Sequence, residues 1–458
     1  MRELATIARH AGTVLAGQLA VMAFGVTDTI VAGRFSSDAL AALSVASAVF
    51  VSVYVSLMGI LQALLPIWSE QHGKGETSAI GASFRQSLYL ALGFTLLGML
   101  ILVFPDPILR WTKVPDSMQS DARAYLIIVC WALPSAMFFR LYTTLNQALG
   151  HPQLVTWLQV GALALKVPLS IWFTFGGLGL QPQGAAGCAW ATLLVDYAIA
   201  IVAIVLMRYQ KLYAPLQLWK RIEAPDWQRI GSFLRLGVPA GLSILVEVTS
   251  FTLVALFVAR QGAMSAASHQ IAANLAAVCY MVPLSLGIAI SARVSWWRGA
   301  GNEAQAQKLA WLGVKIALIS GAVLCGTLLL ARSYLPHVYT ADPSVIALTS
   351  TLLLWVALYH ASDSIQCVCI FLLRCWRVTV APLIVYCGLL WGGGLGGGYW
   401  MAYKNEATSA YWATVPTPFW IGSGVALAFV ALFFIFLLHK VLNAHKPSTP
   451  STGFTRGV

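Results

Sequence analysis

Four carboxylates stand where carboxylates are costly. Asp28, Asp196, Glu247 and Asp363 each fall well inside a long apolar run, whereas the other twelve of the 16 acidic residues lie in polar breaks, at termini or at the ends of runs. A charge at mid-bilayer costs from about 3 to over 10 kcal/mol, so such groups face a cavity or a partner. Two carboxyls brought close together raise each other's pKa. A carboxyl tuned in this way is cheap to bury when protonated and attracts a cation when ionised. The chemistry these residue types suggest is therefore exchange of small positive species: a proton, a sodium ion or an organic cation.

Glu247 and Asp363 are the expected pair. Counted from the outer ends of their runs, Glu247 is about 13 residues deep and Asp363 about 18, a difference of less than two helical turns at about 1.5 Å per residue. Tyr359 precedes Asp363 by four residues and shares its helix face, placed to hydrogen-bond a shared proton or ligand. The same two carboxylates can hold either a proton or a sodium ion, the only metal ion the pattern admits, with proton coupling slightly ahead. His360 is read as a packed or hydrogen-bonded histidine, with a proton relay as the alternative. Asp28 is read as a proton- and cation-accepting group, against the plainer reading of a carboxylate satisfied by Thr27 and Thr29. Lys166 and Asp196 lie at similar depth on the two arms of a hairpin turning near residue 180, so a buried Lys–Asp pair is expected. A direct role for Asp196 in ion movement and contact of Lys166 with Asp28 stay open as alternatives.

The elements that must position these residues follow from composition. The 458 residues are 59% hydrophobic and 10% charged, where soluble domains carry about 25% charged. Twelve runs reach the roughly 20 residues a helix needs to cross a bilayer: 11–33, 39–66, 84–104, 123–148, 153–175, 185–207, 236–259, 265–291, 309–331, 345–373, 380–402 and 417–439. The alternating segments of about 10 residues that mark a membrane β-barrel do not occur. The chain is thus predicted to be an all-α polytopic membrane protein whose largest partner is the lipid bilayer. The first run, although preceded by two arginines, is too long for a signal peptide and is read as the first membrane helix.

The net charge of +12 does not point to nucleic acid, because the basic residues form no stripe and sit in the breaks between runs. With a cytoplasmic N-terminus, 18 Lys and Arg fall on the inner side, 7 on the outer side and 3 (Arg140, Lys166 and Lys315) within spans. That bias places both termini in the cytoplasm of a plasma-membrane or bacterial inner-membrane protein. The eight cysteines show no CxxC pair and no zinc spacing, and read as small buried apolar residues. The glycine-rich "WGGGLGGGYW" at 391–400 lacks the Lys-Ser/Thr of a phosphate loop and reads as close helix packing or a flexible break. No nucleophile cluster or resident cofactor is expected, so an enzyme is disfavoured.

The chain also repeats. At an offset of 226, "GKGE" (73–76) falls on "GAGN" (299–302), each in the polar break after the second span of a half. Six spans per half is even, so the halves should be related by an axis along the membrane normal, a transporter plan. The expected organisation is a six-helix lobe over 1–207, a cytoplasmic connector over 208–235, a second six-helix lobe over 236–442 and a cytoplasmic tail over 443–458.

"VTDTIVAGRFSSDALAALSVA", "QGAMSAASHQIAANL", "GAAGCAWAT" and "PFWIGSGVAL" resemble segments of the multidrug and toxic compound extrusion (MATE) family, and "ILVEVTSF" and "ALYHASDSIQ" resemble its NorM-like branch. The resemblance spans nearly the whole chain. It implies a pair of pseudo-symmetric six-helix lobes in a V and export of cationic amphiphilic compounds by antiport against protons or sodium, carried out by a monomer. It maps the family's first-helix aspartate onto Asp28, its seventh-helix glutamate onto Glu247, and its tenth-helix tyrosine and aspartate onto Tyr359 and Asp363. One departure touches the chemistry. Where the family commonly has asparagines in the fifth helix, "ALKVPLSIWF" offers Lys166 and Ser170, and a lysine beside Asp28 would hold it ionised. A flippase or exporter of lipid-linked or polar metabolites on the same scaffold is the alternative; it would favour a basic cavity over the acidic one expected here.

Overall fold

A computed structural model describes residues 2–105, 116–177, 179–404 and 409–445. Fourteen helices carry the architecture: α1 (Arg2–Phe35), α2 (Ser37–Gln62), α3 (Leu65–Gly73), α4 (Thr77–Val103), α5 (Asp116–Cys130), α6 (Leu133–Ala148), α7 (Pro152–Phe175), α8 (Ala185–Tyr209), α9 (Trp227–Ala259), α10 (Ala263–Gly299), α11 (Glu303–Ala331), α12 (Pro343–Cys375), α13 (Val380–Tyr403) and α14 (Thr417–Ala444). Among the described residues, eleven helices, with α2 and α3 counted as one, and the bent pair of α5 and α6 are long and apolar enough to make twelve spans. The described residues contain no strand, only an isolated bridge between Gly177 and Leu180.

Most spans overrun their expected limits because helices continue into polar flanks. α3 fills a break expected to be loop, starting just before Pro66, whose missing N–H costs nothing in a first turn. The fourth expected span is two helices, α5 and α6, set at 50°. Pro134 at the second position of α6 removes the amide that would have continued α5. α9 begins at Trp227, where the Asp226 carboxylate accepts from the Arg229 amide at 3.1 Å, so the connector shortens to about 210–226. That connector is docked on α4. Arg85, buried, donates to Glu223 and to Gln217 O at 2.7 Å, and Gln86 Nε2 donates to Ala224 O at 3.0 Å. The tail expected from residue 443 lies outside the described residues beyond 445, as do Arg110 and Lys113 of an outer break.

α13 is α-helical at both ends and π-helical over Tyr386–Gly396. Its glycine run serves close packing: a Cβ on Gly422 of α14 would come within 2.6 Å of Gly394 O. The second half is built around α12, which is buried on nearly all sides from Leu352 to Cys375 and packs against α10, α11 and α14.

The halves meet in pairs that the repeat relates: α1 lies along α10, and α2 along α9. The closest approaches fall toward one end. Late α2 meets early α9, with Ser56 O and Ile60 against Gly237 and Gly241. α3 meets the last turn of α10. Glu3 takes two hydrogen bonds of 2.7 Å from Arg293, and Glu70 accepts from Arg377 at 2.8 Å. The interface between the halves is thus closed at the end that carries the N-terminus.

Candidate functional site

α12 sets the acidic residue of the second half. Asp363 has no exposed surface. Its Oδ1 accepts from Gln366 Nε2 at 2.8 Å, one turn along the same helix. Gln366 in turn accepts a short hydrogen bond from the Tyr386 hydroxyl at the start of the π-helical stretch. His360 Nδ1 lies 3.2 Å from Asp363 Oδ2, but the angles make no hydrogen bond, and both atoms are left without one among the described residues. Asp363 is therefore tied at Oδ1 to the neutral Gln366 amide, while its Oδ2 stands beside the His360 imidazole with no hydrogen bond among the described residues.

Glu247, half-buried on α9, is within electrostatic reach of Asp363. No hydrogen bond joins the two carboxylates among the described residues, so a proton shared directly between them is not how they are arranged. Arg374, buried at the end of α12, stacks on Phe371 at 4.7 Å and acts on Glu247 only at a distance. Tyr359 sits one turn before Asp363, as expected, with its ring edge-on to Phe251 at 6.1 Å and to Trp420 at 5.8 Å. These aromatics and His269 wall a cavity of about 20 Å³, room for about one water. Trp420 Nε1 and His269 Nδ1 lack hydrogen-bond partners among the described residues.

The first half is wired differently. Lys166, fully buried on α7, pairs with Asp28 Oδ1 at 2.9 Å. It also donates to Cys188 O at 3.1 Å and to the Thr192 hydroxyl. Ser170, one turn further along α7, donates to the same Asp28 oxygen at 3.0 Å. The expected Lys166–Asp196 pair is thus corrected. Lys166 reaches α8 one turn short of Asp196, and the ammonium is already satisfied by three acceptors. The hydroxyl reading of Asp28 is corrected too: Thr27 and Thr29 donate to Ala23 O and Gly25 O of their own helix at 2.8 Å. Asp196 is half-buried, feels Lys166 and Asp28 only through space, and forms no ion pair among the described residues.

The sequence reading missed Gln366, Tyr386 and Arg374. Gln366 carried a legible signal, since an amide three residues after a buried carboxylate shares its helix face. Tyr386 carried none, because the π-helical turn that aims it is not written in the residue pattern. Among the described residues no group of three His, Cys, Asp or Glu is gathered as a metal cage would require.

Buried carboxylates between helices, in a bundle of two matched halves, define a polytopic membrane protein of the transporter type. Residues 14–172 and 239–392 match the MatE family model, and the chain belongs to that family. Within it the chain is NorM-like. It is 33% identical over 434 residues to the probable multidrug resistance protein NorM of Aromatoleum aromaticum, covering 95% of this chain and 93% of the relative. It is 30% identical over 433 residues to the multidrug resistance protein PmpM of Pseudomonas aeruginosa, covering 94% and 90%. Its backbone follows the eukaryotic MATE transporter AtDTX14 with a TM-score of 0.85 at 18% identity, over 97% of this chain and 98% of that one. It follows an outward-facing multidrug resistance MATE family transporter of the MOP superfamily with a TM-score of 0.86 at 16% identity, over 97% and 96%.

Proposed function

We propose that the protein is a secondary-active multidrug exporter that antiports cationic amphiphilic compounds against inward protons or sodium by alternating access. The names of its relatives, multidrug resistance proteins, support drug export; the cationic class is inferred from the intramembrane carboxylates. The observation that carries the coupling is the contrast between the halves: Asp363 accepts from the Gln366 amide and has no lysine or arginine paired with it among the described residues, whereas Asp28 is paired with Lys166. A carboxylate without a fixed counter-charge takes up a proton or a monovalent cation when one is offered and gives it up when a positive cargo competes. Glu247, partly open and within reach of Asp363, adds a second negative group on the same path.

The direction of work is consistent with the membrane potential. Moving one charge through 100 mV is worth about 2.3 kcal/mol, so expelling a monovalent cation against an inside-negative potential costs what one entering proton or sodium ion returns. Both termini are assigned to the cytoplasm on the Lys/Arg bias. The closed end is then cytoplasmic. The test is ethidium transport in proteoliposomes with an imposed pH or sodium gradient. Uptake or release that follows one of the two gradients supports the reading; indifference to both rejects it.

A further inference from the structure

At the closed end, a cavity of about 250 Å³ lies on the boundary between the halves. Its walls come from the start of α1, the end of α3 and the α6–α7 turn on one side, and from α10 on the other. Arg9, His10, His72, His151 and Arg293 all line it, and no lining residue is acidic. Glu3 answers Arg293 from nearby; Arg9 forms no ion pair among the described residues. Gln147 also lines the cavity. It is 3% exposed and its side-chain oxygen has no hydrogen-bond partner among the described residues. The 24-residue helix α7 starts in the same wall, and no side chain caps its first turn.

These features converge on negative charge. Uncapped amides at a helix N-terminus, with the positive end of its dipole, favour an anion. Arginine suits phosphate oxygens through its planar fork of donors. A half-turn of the Gln147 amide would bring its nitrogen to the place of the unpartnered oxygen and add a neutral donor. The volume is many times the roughly 10–15 Å³ that one water occupies. We propose that this cavity binds a phosphate group, from a free phosphate-bearing anion or a phospholipid headgroup, and that the bound anion clasps the halves together at this end. Because Arg9 and the α7 terminus belong to the first half and Arg293 to the second, the site exists only while this end is closed. An anion that binds one state alone shifts the population toward it. The inference does not depend on the cargo or the coupling ion.

The test uses full-length protein in phosphatidylcholine nanodiscs and follows amide hydrogen exchange at residues 150–156 and 289–296. One arm adds sodium phosphate against sodium chloride of equal ionic strength; the other adds phosphatidylglycerol to the disc. Saturable protection of both segments is expected in at least one arm. Phosphate alone identifies a soluble anion as the ligand, and phosphatidylglycerol alone identifies a headgroup. The double variant R9Q/H151Q should weaken the apparent affinity by about tenfold or more, as loss of a charge-assisted hydrogen bond from Arg9 together with an imidazole donor does. The variant Q153E places a carboxylate in the first turn of α7, where it suits the helix, and should abolish protection while the fold is kept. Protection absent in both arms, matched by chloride, or unchanged in Q153E would overturn the proposal.

Discussion

Gly73 and Gly299 hold equivalent places on the two sides of the boundary between the halves, as a local two-fold rotation would relate them. A Cβ on Gly73 would lie 2.0 Å from Trp296 O, and one on Gly299 would lie 1.9 Å from Glu70 O. The spacing from 73 to 299 and from 70 to 296 is the same 226 residues that relates the two polar breaks in the sequence. The repeat is therefore a contact as well as an ancestry: the same glycine, used twice, lets two helix ends touch backbone to backbone.

Gly299→Ala should pry this end apart. A methyl group cannot share space with a carbonyl oxygen, and the obstacle is backbone, which cannot swing aside. Overpacking of this kind costs about 1–3 kcal/mol. Thermal unfolding of the purified variant should show that loss, and exchange of the α3 amides should rise. A variant as stable and as protected as the parent would mean that the closed end yields without cost.

Lys166→Ala should destabilise the protein strongly, because Asp28 would be left as a buried charge without its counter-ion, supported by Ser170 but by no cation among the described residues. Removing one partner of a buried pair costs about 3–5 kcal/mol. The double variant K166A/D28N should recover most of the loss, and K166A/D196N should not. Rescue by the Asp196 substitution instead would reassign the partner.

That assignment shows where the sequence is legible and where it stops. The four carboxylates inside apolar runs, the twelve spans and the repeat all follow from charge and hydropathy, which the bilayer enforces residue by residue. Lys166 and Ser170 are visibly on one helix face, four residues apart. Which helix they face is a matter of lateral packing, on which span counting is silent, and depth counts could not separate Asp28 from Asp196. The difference came to one turn of α8, from Thr192 to Asp196. The bend before α6 had a signal in Pro134, but a proline inside an apolar run predicts a kink as readily as a break. The π-helical middle of α13 had only its glycines, which permit many backbones and specify none.

The docked connector should respond to acid. Arg85 holds the Glu223 carboxyl below its ordinary value of 4.5. A carboxyl lowered by folding contributes stability that is complete above its unfolded pKa and is lost as the pH falls through the folded one. Docking should therefore hold at neutral pH and loosen only below about pH 4.5. Arg85→Gln should loosen it at every pH. Limited proteolysis within residues 217–226 measures this: cleavage should rise on acidification in the parent and be high and flat with pH in the variant. Because Glu223 is about half exposed, salt should weaken the effect as well.

Asp363→Asn separates the two halves functionally. Asparagine keeps the size of the side chain and can still engage Gln366, so the fold should survive and the protein should reach the membrane in normal amount. What it loses is the ability to hold a positive charge or release a proton. Gradient-driven export should fall to background, and Glu247→Gln should lower it without abolishing it, since Glu247 acts on the same path from a more open position. The pair substitution D28N/K166M removes a charge couple that is already neutral in sum, so it should leave gradient dependence intact even if the rate changes. Efflux from cells, with expression checked by blotting, reads all three. Export retained by D363N and lost in D28N/K166M would move the coupling site to the first half and make the Lys166 ion pair, rather than Asp363, the element that cycles.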